Sequence, residues 1–187
     1  GTQIPVKLTQ ALSELGIRSY SGYGMTEMAS TVFAKQSDGK VGVGQPLLGR
    51  EFKLVNEEVW LKGAGLAMGY WRNGCVDPLT NAEGWFQTKD KGQWLDNELV
   101  IQGRLDNMFI SGGENIQPEE IEKVIALSDL GKQVFVLPQH DEEFGHRPVA
   151  IVEFHTLFNE SAVESLNVFL QGRLERFKKP LAYYELP

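Results

Sequence analysis

The chain contains a single cysteine, Cys75, among 187 residues, so no internal disulfide can form. An unpaired thiol suits a reducing compartment, and a cytoplasmic location is expected. No His stands near Cys75 in the sequence to act as its base, and it reads as an unpaired thiol rather than a catalytic one. No apolar run approaches the ~18 residues of a membrane-spanning helix. The stretch from Gly1 to Gly16 is too polar for a signal peptide and reads as an ordinary helix. Positive charge is also short: the net charge is −7, which argues against general nucleic-acid binding. An anionic ligand would need local basic residues. His140, His146 and His155 lack metal-ligand spacing with any Cys, and no Gly-x-Ser-x-Gly elbow exists to support a serine hydrolase. Gly63-x-Gly65-x-x-x-Gly69 imitates a dinucleotide loop. The residues after it (Tyr70, Trp71, Asn73, Gly74, Pro78) are turn formers rather than the opening of a helix.

The composition is that of a globular protein, with 42% apolar and 23% charged residues. Leu8, Ala11, Leu12 and Leu15 recur at helical spacing and Gly16 is a natural stop. Ile17–Tyr20 reads as a short strand leading into a glycine-containing turn. From Val41 to Gly103, short apolar runs (52–55, 59–61, 85–87, 99–101) alternate with Gly, Pro, Asn and Asp, the grammar of a β-rich region. After Arg104 the pattern changes. Residues 108–110, 133–137 and 148–154 read as strands. Pro118 opens a helix whose first turns hold Glu119, Glu120 and Glu122 and whose apolar face is Ile121, Val124 and Ile125. A last helix has capping-box spacing at Ser161 and Glu164, a stripe of Val163, Leu166, Leu170, Leu174 and Phe177, and Pro180 as its stop. The expectation is a β-rich, α/β part over 1–104 and a small α+β domain over 105–187.

Three strings carry chemistry. Tyr23-Gly24-Met25-Thr26-Glu27 offers an aromatic face, a hydroxyl and a carboxylate within one turn, able to meet a base, a phosphate and Mg²⁺. A turn with a buried Tyr and a surface Glu would read the same way. Trp85-Phe86-Gln87-Thr88-Lys89-Asp90 is a strand ending in a carboxylate that could accept from two vicinal hydroxyls, or merely be solvated. Gly103-Arg104-Leu105-Asp106, followed by Ile110-Ser111-Gly112-Gly113-Glu114-Asn115-Ile116, combines a forked donor with glycines that let a ligand approach the backbone, or forms a hairpin beside a linker.

In this order the three strings resemble the adenylate-forming superfamily of acyl- and aryl-CoA synthetases, luciferases and peptide-synthetase adenylation domains. Val43-Gly44-Gln45-Pro46, Gly69-Tyr70-Trp71 and Pro118-Glu119-Glu120-Ile121-Glu122 add weaker matches, and the likeness runs from about Ser19 to Pro187. Within the superfamily, the stretches 23–31, 103–122 and 143–148 look most like the o-succinylbenzoate-activating subfamily of menaquinone synthesis. The other aryl- or fatty-acyl-CoA ligases, and a non-catalytic module with the same fold, are the alternatives.

The resemblance implies the C-terminal part of a large AMP-binding domain over 1–104 and most of a mobile C-terminal domain over 105–187. It implies ATP, CoA, Mg²⁺ and a small carboxylic acid as ligands. Tyr23 would stack on adenine, with Gly24 beside it. Thr26 would contact the AMP phosphate and Glu27 would help hold Mg²⁺. Asp90 would bind the ribose hydroxyls, with Arg104 assisting. Asp106 would be the hinge. Gly112, Gly113 and Glu114 would line the pantetheine path. The basic cluster Arg173, Arg176, Lys178 and Lys179 could meet CoA phosphates, or merely compensate the dipole at a helix end. Lys89 stands where many relatives carry Gly. A Ser/Thr/Gly-rich phosphate loop and a catalytic Lys are expected outside residues 1–187. The polypeptide alone is therefore expected not to catalyse adenylation, and to self-associate through surface a longer chain would cover.

Overall fold

The computed structural model describes residues 6–186, and the parts of the sequence readings that fall on residues 1–5 and 187 lie outside them. The chain divides into two compact units, one up to Gln102 and one from Gly103 onward.

In the first unit, α1 (Val6–Glu14) is followed by β1 (Tyr20–Met25), a 3₁₀ turn at Thr26–Met28, β2 (Ser30–Gln36) and β3 (Gln45–Pro46). Residues 17–19 are not strand, and β1 contains Tyr23, Gly24 and Met25 of the string that the sequence suggested was a turn. The glycines mislead there: Gly22 and Gly24 serve close strand approach rather than chain reversal. β1, β2 and β3 form one antiparallel sheet. A second sheet has the order β4 (Arg50–Val55), β5 (Glu58–Gly63), β8 (Phe86–Leu95), β9 (Glu98–Arg104). Between β5 and β8, β6 (Gly69–Arg72) and β7 (Cys75–Pro78) make a separate hairpin. Its turn is Asn73-Gly74, both at positive φ (49° and 81°), as a tight two-residue hairpin turn requires. No helix follows Gly69, so the glycine triad is not a dinucleotide loop.

The core of this unit buries Met28, Val32, Phe33, Val59, Leu61 and Leu99. A row of rings runs through it: Tyr23 on Phe33 at 6.1 Å, Phe33 edge-on to Phe52 at 5.0 Å, Phe52 against Trp94 at 4.8 Å. Such contacts add to the area term and fix ring orientation.

The second unit begins with the hairpin β10 (Phe109–Ser111) and β11 (Glu114–Ile116), followed by α2 (Pro118–Ala126), the long hairpin β12 (Gly131–Asp141) and β13 (Gly145–Phe154), α3 (Glu160–Leu170) and β14 (Tyr183–Glu185). β14 pairs parallel to β13 and is too short to register in the sequence. Ile121 and Ile125 of α2 meet Val136, Ala150, Val152, Leu166 and Leu170 in one core. Asn159, not Ser161, caps α3: its side chain accepts from the Ala162 N–H at 2.9 Å. α3 stops at Leu170 rather than running to Phe177, because Gly172 takes φ 73° and turns the chain. Leu174 still reaches the core from the following turn.

Glu122 sits half-buried on α2 and accepts the Val136 N–H at 2.8 Å. Burial pushes its carboxyl above the ordinary range, against the pull of that hydrogen bond and with help from Glu119. A raised carboxyl pKa means that folding favours the neutral form. The fold is thus relatively most stable below the unfolded-state pKa and loses ground as pH rises through the folded one. Glu122→Gln keeps an acceptor for Val136 and removes the desolvated charge. The variant is expected to melt higher than the parent near neutral pH, with the gain vanishing in acid. Thermal unfolding as a function of pH checks this, and a gain independent of pH would contradict it.

Candidate functional site

The residues of the Tyr23 and Asp90 strings meet in the first unit. Asp90 is buried, and the Tyr23 hydroxyl donates to its Oδ2 at 2.5 Å. The two residues are 67 apart in sequence and lie in different sheets. Asp90 does not end its strand, because β8 continues to Leu95. The ladder instead breaks around it. Glu58 faces Lys91 and Trp60 faces Gln87, so Thr88, Lys89 and Asp90 bulge opposite Val59 alone. Lys89 takes φ 64°, the left-handed region where glycine is favoured. The bulge carries Asp90 to Tyr23.

The bulge is held by β5. The Thr88 hydroxyl donates to the Val59 carbonyl at 2.7 Å and accepts the Asp90 N–H at 3.0 Å. The Lys89 N–H donates to Glu58 Oε1 at 2.9 Å, and the Lys89 ammonium lies 3.6 Å from the same oxygen. Glu58 Oε2 accepts the Trp60 indole N–H at 3.0 Å. Sequence reading missed Glu58 and gave Thr88 no role beyond its place in the string. The only available signal was a carboxylate placed inside an apolar strand at Glu58-Val59-Trp60-Leu61.

Thr26 and Glu27 follow β1 directly on the 3₁₀ turn, Thr26 exposed and Glu27 half-buried. The Tyr70 hydroxyl on β6 donates to Glu27 Oε1 at 2.6 Å. An open depression of about 500 Å³ is lined by Gly22–Thr26 and Ala29–Thr31. A smaller one, about 220 Å³, lies among Ser13, residues 16–19 and residues 36–37; Arg18 is its one charged side chain, and it holds no residue of the three strings. Gly24 lines the larger depression, where β1 and β2 approach closely. A Cβ there would stand 2.6 Å from Thr31 Cα.

The other proposed residues belong to the second unit. Arg104 and Asp106 form a two-point pair, Nε to Oδ1 at 2.8 Å and Nη2 to Oδ2 at 2.7 Å, with both side chains about half-exposed. Gly112 and Gly113 turn β10 into β11 at φ 58° and 89°. The Gly112 N–H donates to the Phe144 carbonyl at 2.9 Å, and a Cβ on Gly112 would meet the Phe144 ring at 2.8 Å. Glu114 is exposed on β11. Lys178 pairs with Glu120 at 2.8 Å and Glu175 at 2.9 Å. Burial would lower its ammonium pKa, but the hydrogen bonds to these two carboxylates outweigh that and raise it. An anion at Lys178 must therefore compete with two carboxylates already in place. Lys179 is half-buried beside it.

Among the described residues no group of three or more His, Cys, Asp or Glu could hold a metal by itself. Mg²⁺ commonly takes one or two carboxylates and completes its shell with water and substrate phosphates. The single carboxylate of Glu27, next to the Thr26 hydroxyl, fits that pattern.

No family model matches the chain. A curated relative does, over its whole length: the 2-succinylbenzoate--CoA ligase of Haemophilus influenzae is 68% identical across 187 residues, which make up 41% of that protein. The chain resembles 2-succinylbenzoate–CoA ligases throughout. The ligase of Escherichia coli is 52% identical over the same 187 residues, 40% of its length. The solved structure of an E. coli MenE variant with bound OSB-AMS superposes with a TM-score of 0.91 at 51% identity, covering 100% of this chain and 41% of that one. The Bacillus subtilis o-succinylbenzoate coenzyme A synthetase, solved in complex with ATP and a magnesium ion, gives 0.83 at 26% identity and covers 41% of that chain. The chain thus spans about two-fifths of the length of the curated relatives it matches. The β-rich first unit and α+β second unit follow the fold of these ligases. No helix among the described residues is long and apolar enough to cross a membrane.

Proposed function

We propose that this chain is part of an acid–thiol ligase that activates o-succinylbenzoate with ATP and passes the acyl group to CoA. In the first half-reaction the substrate carboxylate attacks the α-phosphorus, forming an acyl-adenylate and releasing pyrophosphate. In the second, the CoA thiolate attacks the acyl carbon and AMP leaves. The first unit is read as the end of the AMP-binding domain, and the second as the mobile C-terminal domain. The work is placed in the cytoplasm, as the single unpaired thiol suggests.

The observation that carries the reading is the Tyr23–Asp90 hydrogen bond. It brings a buried carboxylate to an aromatic face on β1, the strand that runs directly into Thr26 and Glu27. Asp90 would accept from the ribose hydroxyls and Tyr23 would lie against the base. Thr26 would donate to the α-phosphate. Mg²⁺, when bound at Glu27, supplies positive charge to the phosphates. The pair Arg104–Asp106 stands at the start of the second unit. A hinge there would exchange this clamp for other contacts, with Arg104 then available to a hydroxyl or phosphate oxygen. Gly112, Gly113 and Glu114 would border the thiol's route, and Lys178 and Lys179 would face CoA phosphates. The 68% identity to a 2-succinylbenzoate–CoA ligase supports the choice of acid.

The test is pyrophosphate release by the full chain that carries residues 1–187, with a panel of aryl and fatty acids. Preference for o-succinylbenzoate supports the reading. Preference for another acid reassigns the substrate, and no release with any acid overturns the ligase reading.

A further inference from the structure

Glu58 is a buried carboxylate, 9% exposed, that none of the roles above uses. It lies on β5, and its two oxygens do different jobs. Oε1 accepts the Lys89 N–H at 2.9 Å and lies 3.6 Å from the Lys89 ammonium. Oε2 accepts the Trp60 indole N–H at 3.0 Å, which fixes the carboxylate's own rotation. Lys89 is the residue at φ 64°, and Asp90 follows it.

We propose that Glu58 is a positioning residue for the nucleotide: it holds the Thr88–Asp90 bulge in its left-handed form and so aims Asp90 at the ribose. The inference rests on the reading of Asp90 given under Proposed function. A non-glycine residue in the left-handed region costs roughly 1 kcal/mol or more, so the conformation persists only where surrounding contacts enforce it. Glu58 supplies the enforcing contact at the strained residue itself, on the amide and the ammonium together. Thr88 holds the neighbouring position through Val59. Without Glu58 the Lys89 amide loses its acceptor and the strain is no longer opposed. The bulge then relaxes toward an ordinary ladder, and Asp90 moves off the Tyr23 hydroxyl. Hydrogen bonds to a ribose tolerate little displacement, and misplacement by about 1 Å costs on the order of a hundredfold.

The experiment compares ATP with 2′,3′-dideoxy-ATP in the full chain carrying Glu58→Ala, Glu58→Gln or Asp90→Ala, reading kcat/KM for each nucleotide. Glu58→Ala is expected to lower kcat/KM for ATP about tenfold or more, and to leave the dideoxy nucleotide nearly unaffected, because the lost contact is the one that analogue lacks. Glu58→Gln keeps one acceptor for the Lys89 amide and should fall between; it also serves if the Ala variant fails to fold. Adding Lys89→Gly to Glu58→Ala should recover part of the ATP rate, since glycine holds positive φ without support. Equal losses on both nucleotides, with Asp90→Ala still selective for ATP, would overturn the role of Glu58 alone. An Asp90→Ala variant that does not distinguish the nucleotides would instead overturn the ribose reading on which the inference rests.

Discussion

Asp90→Ala in the full chain is expected to lower kcat/KM for ATP by about a hundredfold while leaving the KM for the acid within a few-fold. A hydrogen bond to a charged group contributes about 1.5–3 kcal/mol, and two such bonds to vicinal hydroxyls, partly offset by solvation, leave roughly 3 kcal/mol. Asp90 is buried and already engaged by the Tyr23 hydroxyl, so its carboxylate is held in place before the nucleotide arrives. That preorganisation is why the loss should fall on the nucleotide and not on the acid. Steady-state kinetics with each substrate varied in turn checks the split. An equal rise in both KM values would mean that the variant has disturbed the fold rather than the ribose contact.

Gly24→Ala is expected to damage the first unit severely. The register of β1 against β2 shifts between Tyr23 and Gly24, and the two backbones close tightly there. An added methyl would stand 2.6 Å from Thr31 Cα and 2.8 Å from the Ser30 carbonyl carbon. Both are backbone atoms of a paired strand and cannot swing aside as a side-chain end would. Forced overpacking of this kind costs about 1–3 kcal/mol, occasionally more, and here it also displaces Tyr23, the preceding residue. Thermal unfolding should show a clear drop in Tm, and AMP binding should weaken with it. A variant that melts like the parent would mean that the strands do not approach as closely as described.

Much of the second unit was legible in the sequence because its signals are local. Pro118 and the glutamates after it mark the start of α2, and Ile121, Val124 and Ile125 mark its buried face. The turn at Gly112-Gly113 was readable for the same reason, since two adjacent glycines permit the two positive φ angles of a tight hairpin. Tertiary effects were harder to see. Tyr23-Gly24 reads locally as a turn, yet pairing with β2 makes it a strand. The helix stripe through Phe177 continues in the sequence after Gly172 has already broken the helix. The bulge that presents Asp90 depends on a partner strand about 30 residues earlier, 31 for the Glu58–Lys89 bond, so nothing near Asp90 announces it. Lys89 was conspicuous only because the resemblance led to an expected glycine there, and its φ of 64° lies in the region glycine favours. The order of the strings pointed to the adenylate-forming ligases. The juxtaposition of Tyr23 with Asp90, which gives that order a chemical meaning, needed coordinates.

The central claim is that Tyr23 and Asp90 form the adenosine end of a nucleotide site. A crystal structure of the full chain with a non-hydrolysable acyl-adenylate analogue tests it directly. The expected result is the ribose hydroxyls within about 3.2 Å of the Asp90 carboxylate and the adenine ring against Tyr23. A ribose bound elsewhere, with Asp90 still closed on Tyr23 and untouched by ligand, would contradict it.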